Sequence, residues 1–159
     1  MEKPILYILC GPSGAGKSTW AKKFIEDHFE DDIRYVSRDE IRFSMLKHGD
    51  SYFTKESEVF KHFVGILRQT LVDGFDVVAD ATHLNHGSRA KLINGIGLDS
   101  SKYDIICVVF NTDEETCIAR NKERNGLANV PESVIHDMCH NFHKPHMNEF
   151  VQIKEIIEI

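Results

Sequence analysis

The sequence has no long hydrophobic run and no excess of positive charge. Its longest apolar runs, Ile5–Cys10 and 105–110, are much shorter than the roughly 20 residues that a membrane-spanning helix needs. We therefore expect no membrane span and no signal peptide. The formal net charge is −6 at pH 7, which argues against the broadly basic surface of a non-specific nucleic-acid binder. A nucleic-acid substrate would need a local basic patch.

Cysteine is also scarce in this sequence. The four cysteines are widely spaced and form no Cys-x-x-Cys motif, and Cys10 and Cys107 lie inside apolar runs. Buried thiols of this kind are typical of a reducing compartment, so we predict a cytoplasmic protein. A chain of 159 residues without low-complexity tracts or an evident linker predicts a single domain spanning residues 1–159.

Apolar β-type runs alternate with amphipathic helical patterns along the chain. This alternation predicts an α/β fold of three layers, in which a parallel sheet of about five strands is covered by helices on both faces. Thr112 and Glu115 have the spacing of a capping box, so Thr112 is expected to open a helix. The predicted strands are 5–10, 33–37, 76–79, 103–110 and 150–159, and the predicted helices after the first one cover about 40–48, 55–73, 88–96, 112–124 and 131–142.

The strongest motif lies between the first strand and the first helix. Residues 11–18 match the pattern G-x-x-x-x-G-K-[ST], in which glycines let backbone N–H groups and the helix N-terminus surround a phosphate. Lys17 is expected to reach the β- and γ-phosphates, and Ser18 to be a ligand of Mg²⁺. The motif alone does not distinguish a GTPase, an ATP-driven motor and a kinase. The predicted nucleotide-binding residues are Gly11, Pro12, Ser13, Gly14, Ala15, Gly16, Lys17 and Ser18.

Charged residues follow the second predicted strand, at the sheet edge where open parallel sheets bind ligands. Phosphoryl transfer to a hydroxyl needs a carboxylate to take the proton and cations to offset the moving charge. Asp39 is the candidate base. Arg42 shares its helical face and could hold an anionic part of the acceptor. Alternatively, Asp39 only caps a helix and Arg42 is a solvated surface residue.

A second group of charged residues surrounds the predicted phosphate site. Asp80 closes an apolar strand, where a carboxylate is costly unless it binds a cation, a water on Mg²⁺ or an arginine. Arg120 and Arg124 share one helical face beside the loop that contains Gly126, which predicts a lid over phosphates at about 120–131. Alternatively, Asp80 is a strand-end turn residue and the two arginines belong to a solvated helix end.

Together these motifs resemble the kinase domain of phage-type polynucleotide 5′-kinases, within a larger group of small P-loop kinases. The resemblance covers about residues 5–138. Residues 16–21 are similar to the start of the family's first helix, and residues 38–42 match its element R-D-[DE]-x-R. Residues 80–85 are similar to a D-x-T-N-x-N segment, with His83 where the family usually has Asn.

The resemblance also implies a role for each matching residue. It implies ATP as the phosphoryl donor, with Mg²⁺, and Thr19 beside the nucleotide. Residues 120–126 are similar to the family's lid, in which Arg120 binds the nucleotide and Arg124 the transferring phosphoryl group. The catalytic residues implied are Lys17, Asp39 as the base, Arg42 and Arg124, and the substrate-binding residues implied are Arg42, Asp80 and Arg89.

The function implied by the resemblance is transfer of the γ-phosphate of ATP to the 5′-hydroxyl end of RNA or DNA, as in nucleic acid repair. Phage enzymes of this kind usually carry a 3′-phosphatase domain, for which this sequence has no room. We therefore expect either a stand-alone kinase module, which could act with a separate phosphatase or ligase, or a part of a larger protein. Tyr52 and Phe53 are candidates for stacking on a base. Two alternatives stay open: a kinase of a nucleoside, sugar or other small metabolite, which the negative charge favours, and a nucleotide-binding regulatory module.

Overall fold

The computed structural model describes residues 2–159, so Met1 of the predicted domain lies outside the described residues. Residues 2–159 form five strands and six helices, and none of these helices is long and apolar enough to cross a membrane. The strands are β1 (Ile5–Cys10), β2 (Arg34–Ser37), β3 (Val77–Asp80), β4 (Asp104–Val109) and β5 (Ile153–Glu158). The helices are α1 (Lys17–Asp27), α2 (Arg38–Met45), α3 (Glu56–Val72), α4 (His86–Ile96), α5 (Glu114–Lys122) and α6 (Glu132–His140).

The five strands form one parallel sheet in the order β2-β3-β1-β4-β5. Successive residues of β1 point to opposite faces of the sheet. Leu6, Ile8 and Cys10 therefore belong to one hydrophobic core, and Tyr7 and Leu9 to the other. Because the inner strands β1, β3 and β4 are buried on both faces, they are largely apolar in the sequence, whereas the edge strands β2 and β5 carry exposed residues. The predicted α/β fold of three layers is confirmed.

Helices cover both faces of this sheet. Phe63 of α3 and Leu92 of α4 are buried in the first core. Ala21 of α1, Cys117 of α5 and Ile135 of α6 are buried in the second core. Each large apolar side chain buried in this way contributes about 1.5–3 kcal/mol relative to exposure. The two cores hold the helices that flank the phosphate motif in place against the central strand.

The carboxyl ends of β1, β2 and β3 lie at one edge of the sheet. The phosphate motif follows β1, Ser37 ends β2, and Asp80 ends β3 in register with Ser37. The backbone N–H of Gly11 donates to the carbonyl of Thr82 at 2.9 Å, which ties the motif to the segment after β3. The topology therefore brings three separate parts of the chain to one place.

The start of α5 differs from the prediction. Asp113, not Thr112, caps this helix, and its side chain accepts a hydrogen bond from the N–H of Thr116 at 2.7 Å. The hydroxyl of Thr112 donates instead to the carbonyl of Ala15 at 2.7 Å. The capping box predicted at Thr112 is wrong because a tertiary contact with the phosphate motif engages its hydroxyl. The other predicted boundaries agree to within about three residues.

Candidate active site

The backbone of the phosphate motif forms a loop that only glycine can complete at two positions. Gly14 has φ +83° and Gly16 has φ +96°, both in the left-handed region. A Cβ atom on Gly14 would lie 2.5 Å from the carbonyl oxygen of Cys117. Gly16 stands at the N-cap of α1, and no side chain caps this helix end. The free N–H groups at the start of α1 suit a phosphate anion.

Lys17 lies inside this loop. Its side chain is buried, and its Nζ donates to the carbonyl of Pro12 at 2.8 Å, across the loop. Burial lowers the pKa of Lys17; the Asp80 carboxylate opposes that shift and the Arg124 guanidinium adds to it. An ammonium group held in this way gains most from an anion with several charges, such as the β- and γ-phosphates of a nucleotide.

Ser18 and Asp80, whose oxygen atoms are candidate ligands of a metal ion, lie next to each other at the phosphate loop. The hydroxyl of Ser18 donates to Oδ2 of Asp80 at 2.7 Å, and the Tyr35 hydroxyl donates to the same oxygen at 2.5 Å. Burial and this hydrogen bond raise the pKa of Tyr35, so its hydroxyl stays a donor at neutral pH. A hydroxyl and a buried carboxylate are oxygen ligands of the kind that Mg²⁺ prefers. Ser18 and Asp80 therefore fit a magnesium site at the phosphate loop.

Asp39 and Arg42 face each other on the first turns of α2. Arg42 Nη1 donates to Oδ1 of Asp39, and the Tyr52 hydroxyl donates to the same oxygen at 2.7 Å. The N-cap of α2 is Ser37, whose side chain accepts from the N–H of Glu40. Asp39 is therefore not a helix cap, and Arg42, which is 4% exposed, is not a solvated surface residue.

Glu56 completes this group from the start of α3. It accepts hydrogen bonds from both Nε and Nη2 of Arg42, at 2.8 to 3.2 Å, and from Nη2 of Arg38. Burial acts to lower the pKa of Arg42, but Glu56, Tyr52 and Asp39 together outweigh it and the pKa is raised. Each nitrogen of the Arg42 guanidinium donates to Asp39, Tyr52 or Glu56, so an acceptor phosphate could bind it only by displacing one of these partners.

Sequence reasoning missed Glu56 and Tyr35. Glu56 reads as an ordinary acidic residue in the first turn of a helix, and Tyr35 as an ordinary aromatic residue of a strand. Arg38 carried a signal, because it stands in the R-D-[DE]-x-R element, but no role was assigned to it. Side chains that meet only through the packing of α2 against α3 leave no local pattern in the sequence.

The arginines of the predicted lid lie at the phosphate loop. Arg120 Nη1 donates to the carbonyl of Gly14 at 3.3 Å, and Arg124 lines the same cleft as Lys17 and Asp39. The loop after them is held by Asn121, which is buried and exchanges two hydrogen bonds with the backbone of Val130. This anchor was also missed by sequence reasoning.

Arg89 does not lie in the cleft. It is 1% exposed and forms an ion pair with Glu149 at 3.0 Å. Its remaining donors bind the carbonyls of His83 and His143 at 2.8 and 2.9 Å. The predicted contact between Arg89 and the acceptor is therefore wrong: the guanidinium is occupied in joining α4 to the C-terminal segment, a partner region that local motifs did not reveal.

His83 stands where the family that this sequence resembles usually has Asn. It is buried, and its φ is +42°. Its Nδ1 donates to the carbonyl of Leu9 at 2.7 Å. Burial lowers the pKa of His83 to about 4, so the imidazole is neutral at physiological pH. The side chain therefore links β1 to the segment after β3 and does not supply a cation to the cleft.

The structure brings most of the predicted site residues into one cleft. On one side it is lined by the phosphate loop and Asp80, on the other by Asp39 and Arg42, with Arg124 between them. Tyr52 and Phe53 line the acceptor side. The predicted residues found along this cleft are Ser13, Gly14, Gly16, Lys17, Ser18, Thr19, Asp39, Arg42, Asp80 and Arg124.

Comparisons with known proteins agree with this geometry. A family model described as AAA domain matches residues 6–145. No curated protein matches the sequence. Among solved structures, a chain of the Pnkp1/Rnl/Hen1 RNA repair complex is 26% identical, with a TM-score of 0.74 over 89% of this chain and 44% of that chain.

Two further structures share the fold at lower identity. A fungal RNA kinase is 15% identical, with a TM-score of 0.68 over 100% of this chain and 38% of that chain. A gluconokinase from Sinorhizobium meliloti 1021 is 14% identical, with a TM-score of 0.59 over 100% of this chain and 85% of that chain. The sequence spans less than half the length of the RNA repair chain and of the fungal RNA kinase.

Proposed function

The chain belongs to the AAA domain family of P-loop kinases, and we propose that it transfers the γ-phosphate of ATP to the 5′-hydroxyl end of RNA or DNA. The observation that carries this proposal is the position of Asp39, across the cleft from Lys17 and bound to Arg42 and Tyr52. The similarity to a chain of an RNA repair complex supports the choice of acceptor.

The nucleotide side of the cleft binds and orients the phosphates of ATP. Backbone N–H groups of the loop and of the first turn of α1 surround the β-phosphate, and Lys17 bridges to the γ-phosphate. Arg120 and Arg124 offset the charge that develops on the moving phosphoryl group. Mg²⁺ held near Ser18 and Asp80 would supply further positive charge at the β- and γ-phosphates.

The acceptor side takes the proton. One oxygen of Asp39 is held by Arg42 and Tyr52, and no donor among residues 2–159 reaches its other oxygen, Oδ2. Oδ2 accepts the proton of the acceptor hydroxyl while that oxygen forms a bond to the γ-phosphorus. The bond between the γ-phosphorus and the bridging oxygen breaks, and ADP leaves. Asp39 is 46% exposed, so an acceptor can reach it from the open side of the cleft.

A kinase of a small metabolite is the second candidate function. The net charge of −6 favours it, because a polynucleotide is repelled by an acidic protein except at a local basic patch. A polynucleotide acceptor should also bind less tightly as salt rises, whereas a neutral small acceptor should hardly respond.

The deciding experiment measures transfer of label from γ-labelled ATP to a 5′-hydroxyl oligonucleotide with Mg²⁺. An oligonucleotide of the same sequence with a 5′-phosphate is the acceptor control. Asp39→Asn tests the base, and Glu40→Gln is the matched control, because Glu40 is an exposed carboxylate in the same helical turn. Label on the 5′-hydroxyl strand only, lost in Asp39→Asn and kept in Glu40→Gln, supports the proposal.

Two other outcomes contradict the proposed acceptor. If ATP binds but no oligonucleotide is labelled, while a pool of nucleosides and sugars is, the chain is a small-metabolite kinase. If ATP binds and no acceptor of either kind is labelled, the regulatory alternative replaces it.

A further inference from the structure

Two exposed phenylalanines flank a half-buried tyrosine at the acceptor side of the cleft. Phe53 is 61% exposed and Phe43 is 38% exposed. Tyr52 stands between them, with its ring centroid 4.7 Å from that of Phe53 and 6.2 Å from that of Phe43, both edge to face. We call Phe43, Tyr52 and Phe53 the aromatic rim. It extends outward from the position of Asp39.

The aromatic rim is held in a fixed position relative to Asp39. The hydroxyl of Tyr52 donates to Asp39 at 2.7 Å, and the guanidinium carbon of Arg42 lies 4.1 Å from the centre of the Tyr52 ring. Phe53 packs edge to face against the same ring. One side chain therefore separates Phe53 from the carboxylate that faces the acceptor hydroxyl, and a group bound on Phe53 lies next to the reacting end.

Packing of the fold does not account for the exposure of Phe53. Other aromatic residues, such as Phe63 and Trp20, pack in or against the two hydrophobic cores, and Phe53 belongs to neither core. Leaving a phenylalanine mostly exposed forgoes much of the stabilisation that its burial would give. Phe53 lines the cleft, so the apolar face of its ring is available to a ligand.

The chemistry of the aromatic rim fits a nucleobase. Every base has a flat π-face that stacks on an aromatic side chain, and such stacking tolerates any sequence. The cations of the cleft, Lys17 and Arg124, are placed to offset phosphate charge on the other side of the same space. An acceptor with a base a short distance from its reacting hydroxyl would use both features.

We propose, resting on the function proposed above, that Phe53 stacks on a base of the acceptor within two nucleotides of the 5′-hydroxyl, with Tyr52 and Phe43 supporting it. Phe53, which does not contact Asp39, acts in binding and not in the transfer step. Loss of the stacking interaction therefore raises KM for the acceptor, whereas kcat and KM for ATP are unchanged.

The test combines protein variants with acceptors that lack a base. The acceptors are 5′-hydroxyl oligonucleotides of equal length and charge, either complete or abasic at position 1, 2 or 3. The variants are Phe53→Ala, Phe53→Leu, which keeps apolar bulk without a π-face, and Phe53→Trp, which keeps the π-face. Phe29→Ala is the matched control, because Phe29 is 75% exposed and lies outside the cleft.

Stacking predicts a specific pattern of KM values. On the complete acceptor, Phe53→Ala and Phe53→Leu raise KM about ten-fold, and Phe53→Trp and Phe29→Ala do not. Removing the base at one of positions 1 and 2, the one that stacks, raises KM of the unchanged protein by a similar factor, and has no further effect in Phe53→Ala. Removing the base at position 3 has little effect in any variant.

Contrary results separate the two proposals. Efficient labelling of oligonucleotides with equal KM values for complete and abasic acceptors would overturn the stacking proposal and leave the kinase proposal intact. If Phe53→Ala raises KM equally for complete and abasic acceptors, the stacking proposal is overturned as well. Phe53 would then contribute to binding without contacting a base. If the unchanged protein labels no oligonucleotide, both proposals fail.

Discussion

The centre of the nucleotide side of the cleft is one continuous segment, the phosphate loop of residues 11–18, whereas the acceptor side is assembled from α2, the loop after it and the start of α3. On the nucleotide side, backbone N–H groups and two glycines in the left-handed region define the geometry. On the acceptor side, the geometry depends on hydrogen bonds among Asp39, Arg42, Tyr52 and Glu56.

This difference has consequences for how each side responds to change. A site made by the backbone needs particular residues at particular spacings, so it leaves a motif in the sequence. A site made by side chains from separate elements depends on how these elements pack, and each of its members can be replaced separately. Substitutions on the nucleotide side should therefore affect ATP binding, and those on the acceptor side should affect turnover or stability while ATP still binds.

The largest expected effect is that of Lys17→Ala. Removal of the buried ammonium group takes away its contact with the β- and γ-phosphates, and we expect kcat/KM for ATP to fall about 10³-fold, with weaker ATP binding. Label transfer and nucleotide titration measure the two quantities. Lys22→Ala is the control, since Lys22 is exposed on the same helix. Unchanged ATP binding in Lys17→Ala would contradict the claim that substitutions on the nucleotide side affect ATP binding.

Asp39→Asn should have the next largest effect. The amide keeps the size of the side chain but cannot take the acceptor proton, so kcat should fall at least about 10²-fold while the affinity for ATP is kept. Single-turnover transfer and nucleotide titration on one protein sample separate these outcomes. Near-normal turnover of Asp39→Asn removes its role as the base, and a parallel loss of ATP affinity means that the two sides are not independent.

Glu56→Gln should reduce stability more than activity. The buried guanidinium of Arg42 would lose one of its two charged partners and keep Asp39, which we expect to lower the free energy of unfolding by about 1–3 kcal/mol. Urea denaturation measures this change, with Glu58→Gln as the control because Glu58 is exposed on the same helix. Equal stability of the two variants would show that the side-chain network does not hold the acceptor side together.

The pH dependence of stability should depend on His83, which links β1 to the segment after β3. The pKa of His83 is about 4 in the folded protein, below the usual 6.5, so the unfolded chain binds the proton more readily. The free energy of unfolding should therefore fall as the pH is lowered from 6.5 towards 4, by about 1.5 kcal/mol between pH 6.5 and 5 from this residue alone.

The variant His83→Asn removes this component, and its pH slope should be smaller when urea denaturation is repeated across that range. His62→Asn is the control, because His62 is exposed on α3. A slope for His83→Asn equal to that of the unchanged protein would mean that the buried imidazole does not resist protonation.

Particular residues show how far prediction from the sequence extends. The five strands and the phosphate loop were predicted because hydrophobic periodicity and glycine spacing are local properties. The spacing of Asp39 and Arg42 predicted their shared helical face, and the structure pairs them. Arg89 was implied as an acceptor contact only by its place in the helix after residues 80–85, and burial and the distant Glu149 keep it out of the cleft.

The parallel α/β fold, the phosphate loop and the charged residues at the ends of the strands could be predicted from the sequence, because each depends on neighbours within a few positions. Three contacts depended on the packing of the chain: Glu56 accepts hydrogen bonds from Arg42, Thr112 binds the phosphate loop, and Arg89 is buried. Each of these contacts joins residues far apart in the chain, and its geometry exists only after the helices have packed against the sheet.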